Sequence, residues 1–248
     1  MRIATFNTWK NEGDYLTRID AIGAALPRLE LDVIALQECF YAPAINADTA
    51  ACVARALGLH VSRAPMREKV RTMGGAEVLS RADLAILTRE APLDVAFAPL
   101  SPDPRDGERL VLRADLELGN QRIRVVNVHL THLRDTAASE TRSMQARETL
   151  SFARSDWRDP IIIAGDLNAV SWSPSLSPLF DDPDMDRSCH AAREQAGASG
   201  AGLLEGGAID HVLVFDPLHR VTCMRRTVEL GGTGLSDHPV VVVELDCR

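Results

Sequence analysis

Six short apolar runs in this chain stop on acid, amide or imidazole groups. Ile3-Ala4-Thr5-Phe6 ends on Asn7, and Val33-Ile34-Ala35-Leu36 ends on Gln37-Glu38. Val125-Val126 leads into Asn127-Val128-His129, and Ile161-Ile162-Ile163-Ala164 into Gly165-Asp166-Leu167-Asn168. Ala208-Ile209 meets Asp210, and Ser236-Asp237-His238 opens the run Val240-Val241-Val242-Val243. A strand covered on both faces reads as a continuous apolar run, because neither face needs polar residues. The polar groups that close such runs therefore fall at strand ends. A shared end would gather three or four carboxylates, two amides and two imidazoles. That donor set suits a hard divalent cation acting in hydrolysis at phosphorus.

The remaining patterns predict a layered domain. Leu16, Ile19, Ile22, Ala25, Leu26 and Leu29 recur at helical spacing over 14–29, with Pro27 near the end. A second helix is predicted over 48–57, started by Asp48 or Thr49 and stopped by Gly58. The third and clearest covers 137–155, where Met144, Leu150 and Phe152 interleave with Arg142, Arg147, Glu148 and Arg154. Strands are predicted at 32–37, 59–63, 76–79, 84–88, 93–97, 109–117, 122–129, 160–165, 209–214, 219–229 and 239–246. Gly119-Asn120 supplies the positive-φ positions of a tight hairpin turn between two of them. Residues 170–208, rich in Ser, Pro, Asp and Gly, read as loops with one short helix. Many strands with a few helices make an α+β (α/β layered) domain. No Gly/Ser/Pro-rich linker divides the chain, so residues 1–248 are read as one domain.

Charge and cysteine usage narrow the function. A net charge of -8 argues against a broad basic face for duplex nucleic acid. The five cysteines, Cys39, Cys52, Cys189, Cys223 and Cys247, are scattered and form no CxxC pair. They suit reduced thiols better than a disulfide framework or a zinc site. Residues 1–8 are already strand-like, without the regions of a signal peptide. No apolar run approaches the roughly 20 residues of a transmembrane helix. A cytoplasmic, monomeric protein is expected.

Each polar stop has a plain explanation when taken alone. Asn7 could cap a turn, Asp166 and Asn168 could form an Asx-turn, and His129 could be a satisfied, half-buried histidine. Their order is far more specific. A strand ending in Asn, a strand ending in Gln-Glu, Asn-x-His-Leu, Gly-Asp-x-Asn, Ile-Asp and Ser-Asp-His follow one another from Asn7 to His238. In this the chain resembles the endonuclease/exonuclease/phosphatase superfamily. Leu84-Ala85-Ile86-Leu87-Thr88-Arg89 is similar to its central strand, and Arg142 and Gln145 fall where its following helix carries Arg and Gln. The intact Asn127-Val128-His129-Leu130 resembles the deoxyribonuclease and sphingomyelinase-like branch rather than the AP endonuclease branch.

The resemblance implies a four-layer αββα sandwich: two mainly antiparallel sheets, helices on both outer faces, and a site at one end. It also implies a Mg²⁺- or Mn²⁺-dependent phosphoesterase, most simply a phosphodiester hydrolase. Glu38 would be the primary metal ligand, with Asn7 and Asp237 completing or supporting the shell. His238 would act as general base, since imidazole titrates near neutral pH, and Asp210 would fix its tautomer. Asp166 would position or activate water, so the proton acceptor could be either Asp166 or His238. Asn168 would donate to a phosphate oxygen, and His129 would bind a nonbridging oxygen or protonate the leaving group. Some branches orient that histidine with a carboxylate just before the central strand; here Ala82-Asp83 stand there, with Glu77 further back.

The substrate is less legible. Trp9 and Trp172 could stack on a base or touch a lipid chain, or Trp9 could simply pack at the core rim. Arg67, Lys69 and Arg71 could grip phosphate, although such a triplet is more often a solvated loop. A lipid headgroup, a small phosphodiester or a nucleic acid cut by an endonuclease or exonuclease all fit. A non-catalytic scaffold that keeps the fold for phosphate binding is the contrasting class.

Overall fold

The computed structural model describes residues 1–186, 203–204 and 207–247. In chain order the strands and helices are β1 (Arg2–Asn7), α1 (Tyr15–Ala25), β2 (Val33–Ala42), β3 (Ala47–Asp48), α2 (Thr49–Leu57), β4 (His60–Ala64), β5 (Lys69–Met73), β6 (Ala76–Thr88), β7 (Asp94–Pro99), β8 (Leu110–Leu118), β9 (Gln121–His129), α3 (Thr136–Arg154), β10 (Ile161–Asp166), α4 (Ser177–Phe180), β11 (Leu203–Leu204), β12 (Gly207–Ala208), β13 (Asp210–Phe215), β14 (Val221–Glu229) and β15 (Val240–Cys247). One sheet runs β14-β15-β1-β2-β6-β4, with β3 and β5 attached, and the other runs β13-β10-β9-β8-β7. Each is antiparallel except at one central pair, β1 with β2 and β9 with β10.

Alternation along the strands makes the layers. Ile3, Val33, Ile86 and Val241 face Leu112, Val125, Ile162 and Val214 in a core between the sheets. The opposite face of the first sheet, with Phe6, Ile34, Leu36 and Leu87, packs on Ile19, Ile22, Ala50 and Val53 of α1 and α2. The opposite face of the second, with Val126, Val128, Ile163 and Leu213, packs on Ala146, Leu150 and Ala153 of α3. Both faces of the central strands are thus covered, which is why they read as unbroken apolar runs. The result is the expected sandwich of two mainly antiparallel sheets flanked by helices.

Helix starts follow capping chemistry. Asp14, Asp48 and Asp135 each accept from the backbone N–H of the third residue of the following helix, and Gly58 closes α2 at φ 67°. Several expectations need correction. Segments 76–79 and 84–88 are one strand, β6. The supposed solvated loop at 67–71 contributes β5, hydrogen-bonded to β6. Met144 is 45% exposed, because α3 instead buries small residues together with Arg142 and Gln145. In the β8–β9 turn only Gly119 takes positive φ, at 63°. Part of 170–208 lies outside the described residues, as does Cys189; α4 falls in the described part. Cys39, Cys52 and Cys247 form no disulfide. Among the described residues no helix is long and apolar enough to cross a membrane.

Candidate active site

Register brings the polar stops together. His129 ends β9 opposite Asp166, the last residue of β10, and Asp166 stands opposite Asp210, the first residue of β13. Three adjacent strands therefore deliver three ionisable groups in one row. Gly165 permits this packing: a Cβ there would lie 2.0 Å from the Val128 carbonyl oxygen. From the other sheet, Asn7 ends β1 beside Gln37 of β2. The next residue, Glu38, takes φ 56° where the β2–β6 register shifts, a bulge that turns its side chain into the cleft.

The two sheets meet through Asp166. Its Oδ2 accepts from Asn7 Nδ2 at 3.1 Å and lies 3.4 Å from His129 Nε2 and 3.7 Å from His238 Nε2. Its Oδ1 accepts from the Asn168 backbone N–H at 2.9 Å. His238 Nδ1 is 2.8 Å from Asp210 Oδ2, behind the ring, while the other Asp210 oxygen is buried with no hydrogen-bond partner among the described residues. Ser236 Oγ donates to the Asn7 carbonyl and accepts from the His238 backbone N–H, which fixes the loop. Asn7, Glu38, His129, Asp166, Asn168, Asp237 and His238 line one cleft of about 560 Å³. Asp210 sits outside the lining, in contact with His238. Asn168 Nδ2 already donates to the Leu130 carbonyl at 2.9 Å, so only one of its two amide hydrogens faces other work.

Burial and charge set the protonation states. Burial, with Asp210 nearby, pushes the Asp166 carboxyl up to about 6. Burial alone would depress His238, but the pull of Asp210, Asp166 and Asp237 outweighs it and raises the imidazole to about 10. Burial and the cations Arg109 and Lys10 hold His129 well below the usual histidine range, so its ring is neutral. Burial also raises Glu38, opposed by Lys10, whose Nζ lies 3.0 Å from Glu38 Oε1.

Several residues to which the sequence assigned no role support or edge this site. Asn127 donates to the Leu36 and Ala85 carbonyls and accepts from Gln37 Nε2, bolting the sheets together below the cleft. Arg142 and Gln145 hold Thr131 just after His129. Asp83 accepts from Arg81 and from the Met66 backbone, and His129 has Asp166 as its carboxylate neighbour instead. At the rim, Arg109 and His132 both contact Asp106. His132, three residues after His129, could be read from the sequence as pocket or following loop; for Arg109 and Asp106 the signal was only the charge-dense segment 105–109, which looks like any solvated loop.

The donor set fits a hard divalent cation. Glu38 is a largely buried carboxylate whose neutralising partner is a single flexible ammonium, and Asn7 and Asp237 add oxygens in the same cleft. Asp166, Asp210 and His238 also offer ligand atoms within 4.8 Å of one another. There, however, His238 Nδ1 is occupied by Asp210, so these two are better described as a hydrogen-bonded pair with Asp166 3.7 Å from the far ring nitrogen.

Comparisons agree with this fold. The model of the Endonuclease/Exonuclease/phosphatase family matches residues 4–238, and the chain belongs to that family. An endonuclease/exonuclease/phosphatase from Beutenbergia cavernae DSM 12333 is similar at TM-score 0.79 and 19% identity, covering 100% of this chain and 71% of that one. The mannosyl-6-phosphatase Bt3783 of Bacteroides thetaiotaomicron VPI-5482 is similar at TM-score 0.69 and 16% identity, covering 99% of each chain. The human Nocturnin catalytic domain, with bound sulfate anion, is similar at TM-score 0.69 and 14% identity, covering 100% of this chain and 94% of that one. No curated protein matches the chain.

Proposed function

We propose that residues 1–248 form one domain that hydrolyses a phosphodiester with the help of Mg²⁺ or Mn²⁺. The observation that carries this reading is the turning of Asn7, His129 and His238 onto one oxygen of Asp166. A hydrogen-bonded carboxylate flanked by two imidazoles, beside further carboxylates, is suited to activate water and stabilise charge on phosphate. Structural neighbours named as a phosphatase and as a catalytic domain with bound sulfate are consistent with phosphoester chemistry.

Glu38, Asn7 and Asp237 would hold the cation. When bound, it supplies charge neutralisation at the phosphate oxygens. Asp166 acts as proton acceptor for the attacking water, because its carboxyl, at about 6, is ionised near neutrality yet basic enough to take a proton. His238, raised to about 10, stays protonated and donates from Nε2 to a nonbridging oxygen, with Asp210 fixing Nδ1. Of the two acceptors open at the level of sequence, the electrostatics favour Asp166 over His238. Neutral His129 orients a second phosphate oxygen, and the remaining Asn168 N–H assists it.

The test is turnover of bis-p-nitrophenyl phosphate with Mg²⁺ or Mn²⁺. Activity should disappear with EDTA and in His238→Ala. Hydrolysis that survives both treatments would sink the mechanism. No turnover of any phosphoester, with intact phosphate binding, would point to the scaffold class instead. A plasmid-nicking assay run alongside separates a nuclease from an enzyme of smaller substrates.

A further inference from the structure

The chain contains only two lysines, Lys10 and Lys69, among 27 cationic residues, and both line the cleft. Lys10 faces Glu38. Among the described residues Lys69 has no comparable partner. It lies on β5, where alternation places Lys69 and Arg71 on one face, and Arg67 precedes them on the same cleft wall. A Cβ built at Gly107 would stand 3.3 Å from Lys69 Nζ, so the ammonium reaches across to the loop that carries Arg109.

Among the described residues these three cations make no ion pair with a carboxylate. Many other arginines are paired with carboxylates, as Arg105, Arg109, Arg113, Arg124, Arg154 and Arg220 are. Arg71 is braced by Ser80 instead, donating from Nη1 to its carbonyl and hydroxyl at 3.0 Å each. Glu12 and Glu108 share the cleft, but Glu108 is engaged by the Arg67 backbone N–H. Burial and the surrounding charges of Arg67, Arg71, Lys10 and Arg109 hold the Lys69 ammonium below its ordinary range. In a chain of net charge -8, three cations without ion pairs on one wall of the cleft form a cluster suited to an anion.

We propose that Arg67, Lys69 and Arg71 bind a second, non-scissile phosphate, so that the substrate is a small molecule carrying two phosphate groups. This rests on the phosphoester hydrolase reading, which places the scissile phosphate at Asp166 and His238. Between the two ends, Met66, Leu84 and Leu110 line the cleft and leave room for an organic body. The cleft's volume of about 560 Å³ suits a small ligand. A polymer is disfavoured because Trp9 is already covered by the Arg18 guanidinium, 4.9 Å from its ring, and Trp172 lies outside the cleft lining.

The test uses α,ω-alkanediol bisphosphates of increasing chain length and the matching monophosphates. They are measured as inhibitors of bis-p-nitrophenyl phosphate hydrolysis, and by calorimetry on Asp166→Asn with Mn²⁺. At least one spacer should bind about tenfold more tightly than its monophosphate, the order expected of charge-assisted hydrogen bonds. The ratio should fall to about one in Lys69→Ala and in Arg67→Ala, and should persist in Lys69→Arg. A ratio near one for every spacer in the unmodified protein overturns the proposal, as does a ratio unchanged in Lys69→Ala. If Lys69→Ala weakens a single-stranded oligonucleotide but no bisphosphate, the small-substrate assignment is wrong. If diester hydrolysis is absent while calorimetry still shows a Lys69-dependent ratio, the hydrolase reading fails and the second phosphate site stands.

Discussion

At one end of β9, Arg124 grips Asp115; at the other, His129 faces Asp166. Both clusters are buried and share β9, but the first stays within one sheet and the end of α3 while the second draws residues from both sheets. Around Arg124 every hydrogen-bonding group is matched: Nε and Nη2 reach the two Asp115 oxygens at 2.7 and 2.8 Å, and Nη1 reaches the Ala153 and Ser155 carbonyls. Trp157 covers the guanidinium at 4.3 Å. Around Asp166 the matching is incomplete. Among the described residues one Asp210 oxygen is orphaned, Glu38 leans on a flexible lysine, and the Asp166 carboxyl is raised to about 6. A satisfied charge network holds a structure, whereas an under-satisfied one is poised for a ligand or a proton.

The comparison is broken most directly by one substitution at each end. Asp166→Asn should lower diester hydrolysis by about 10²–10⁴, the usual contribution of a positioned base. Its thermal midpoint in chelator should equal or exceed that of the unmodified protein, since an unfavourable buried charge has gone. Arg124→Ala should do the reverse. It should cost about 1.5–3 kcal/mol in chemical denaturation, by removing the buried bidentate pair and leaving Asp115 to Arg113 alone, and leave the activity of the folded fraction unchanged. A loss below about 1 kcal/mol would show that the matched network is dispensable.

Metal sharpens the contrast at a smaller scale. Mn²⁺ at about 100 times its dissociation constant should stabilise the protein by about 2.7 kcal/mol. Glu38→Gln should remove most of that shift, while Arg124→Ala should keep it. A shift independent of Glu38 would move the cation away from the proposed ligands.

The finest distinction is in pH. His238 is raised from 6.5 to about 10, so the stabilisation it gives is complete below about pH 6.5 and is lost as pH climbs through 10. Asp166, raised from 3.8 to about 6, acts in the same sense, costing stability as pH rises between those values. In chelator, the stability advantage of the unmodified protein over His238→Gln should shrink from pH 6.5 upward. An advantage that grows over that range would contradict the assigned charge states.

Much of this site was visible along the chain, because strand ends are a one-dimensional property. Asn7, Glu38, His129, Asp166, Asp210 and His238 each close or open an apolar run, and a run buried on both faces can only end where its polar groups begin. The β5 strand was hidden, since Lys69–Met73 carries three polar residues in five and lies at the exposed margin of its sheet. The braces Asn127, Arg142 and Gln145 were present as motif letters without a visible purpose. Their partners are backbone carbonyls and N–H groups, which every residue has.

Sequence alone determined the layered αββα class, the family, and the residues that gather at one end of the sandwich. These follow from hydrophobic periodicity and from the order of the polar stops, both local in the chain. Only the tertiary structure decided how those residues divide the work. Protonation depends on burial and on charges contributed by other strands, as when Asp210 raises His238 across 28 positions of sequence. The same holds for Lys69 and Arg71 of β5, which make no ion pair among the described residues while many arginines elsewhere find carboxylates in space.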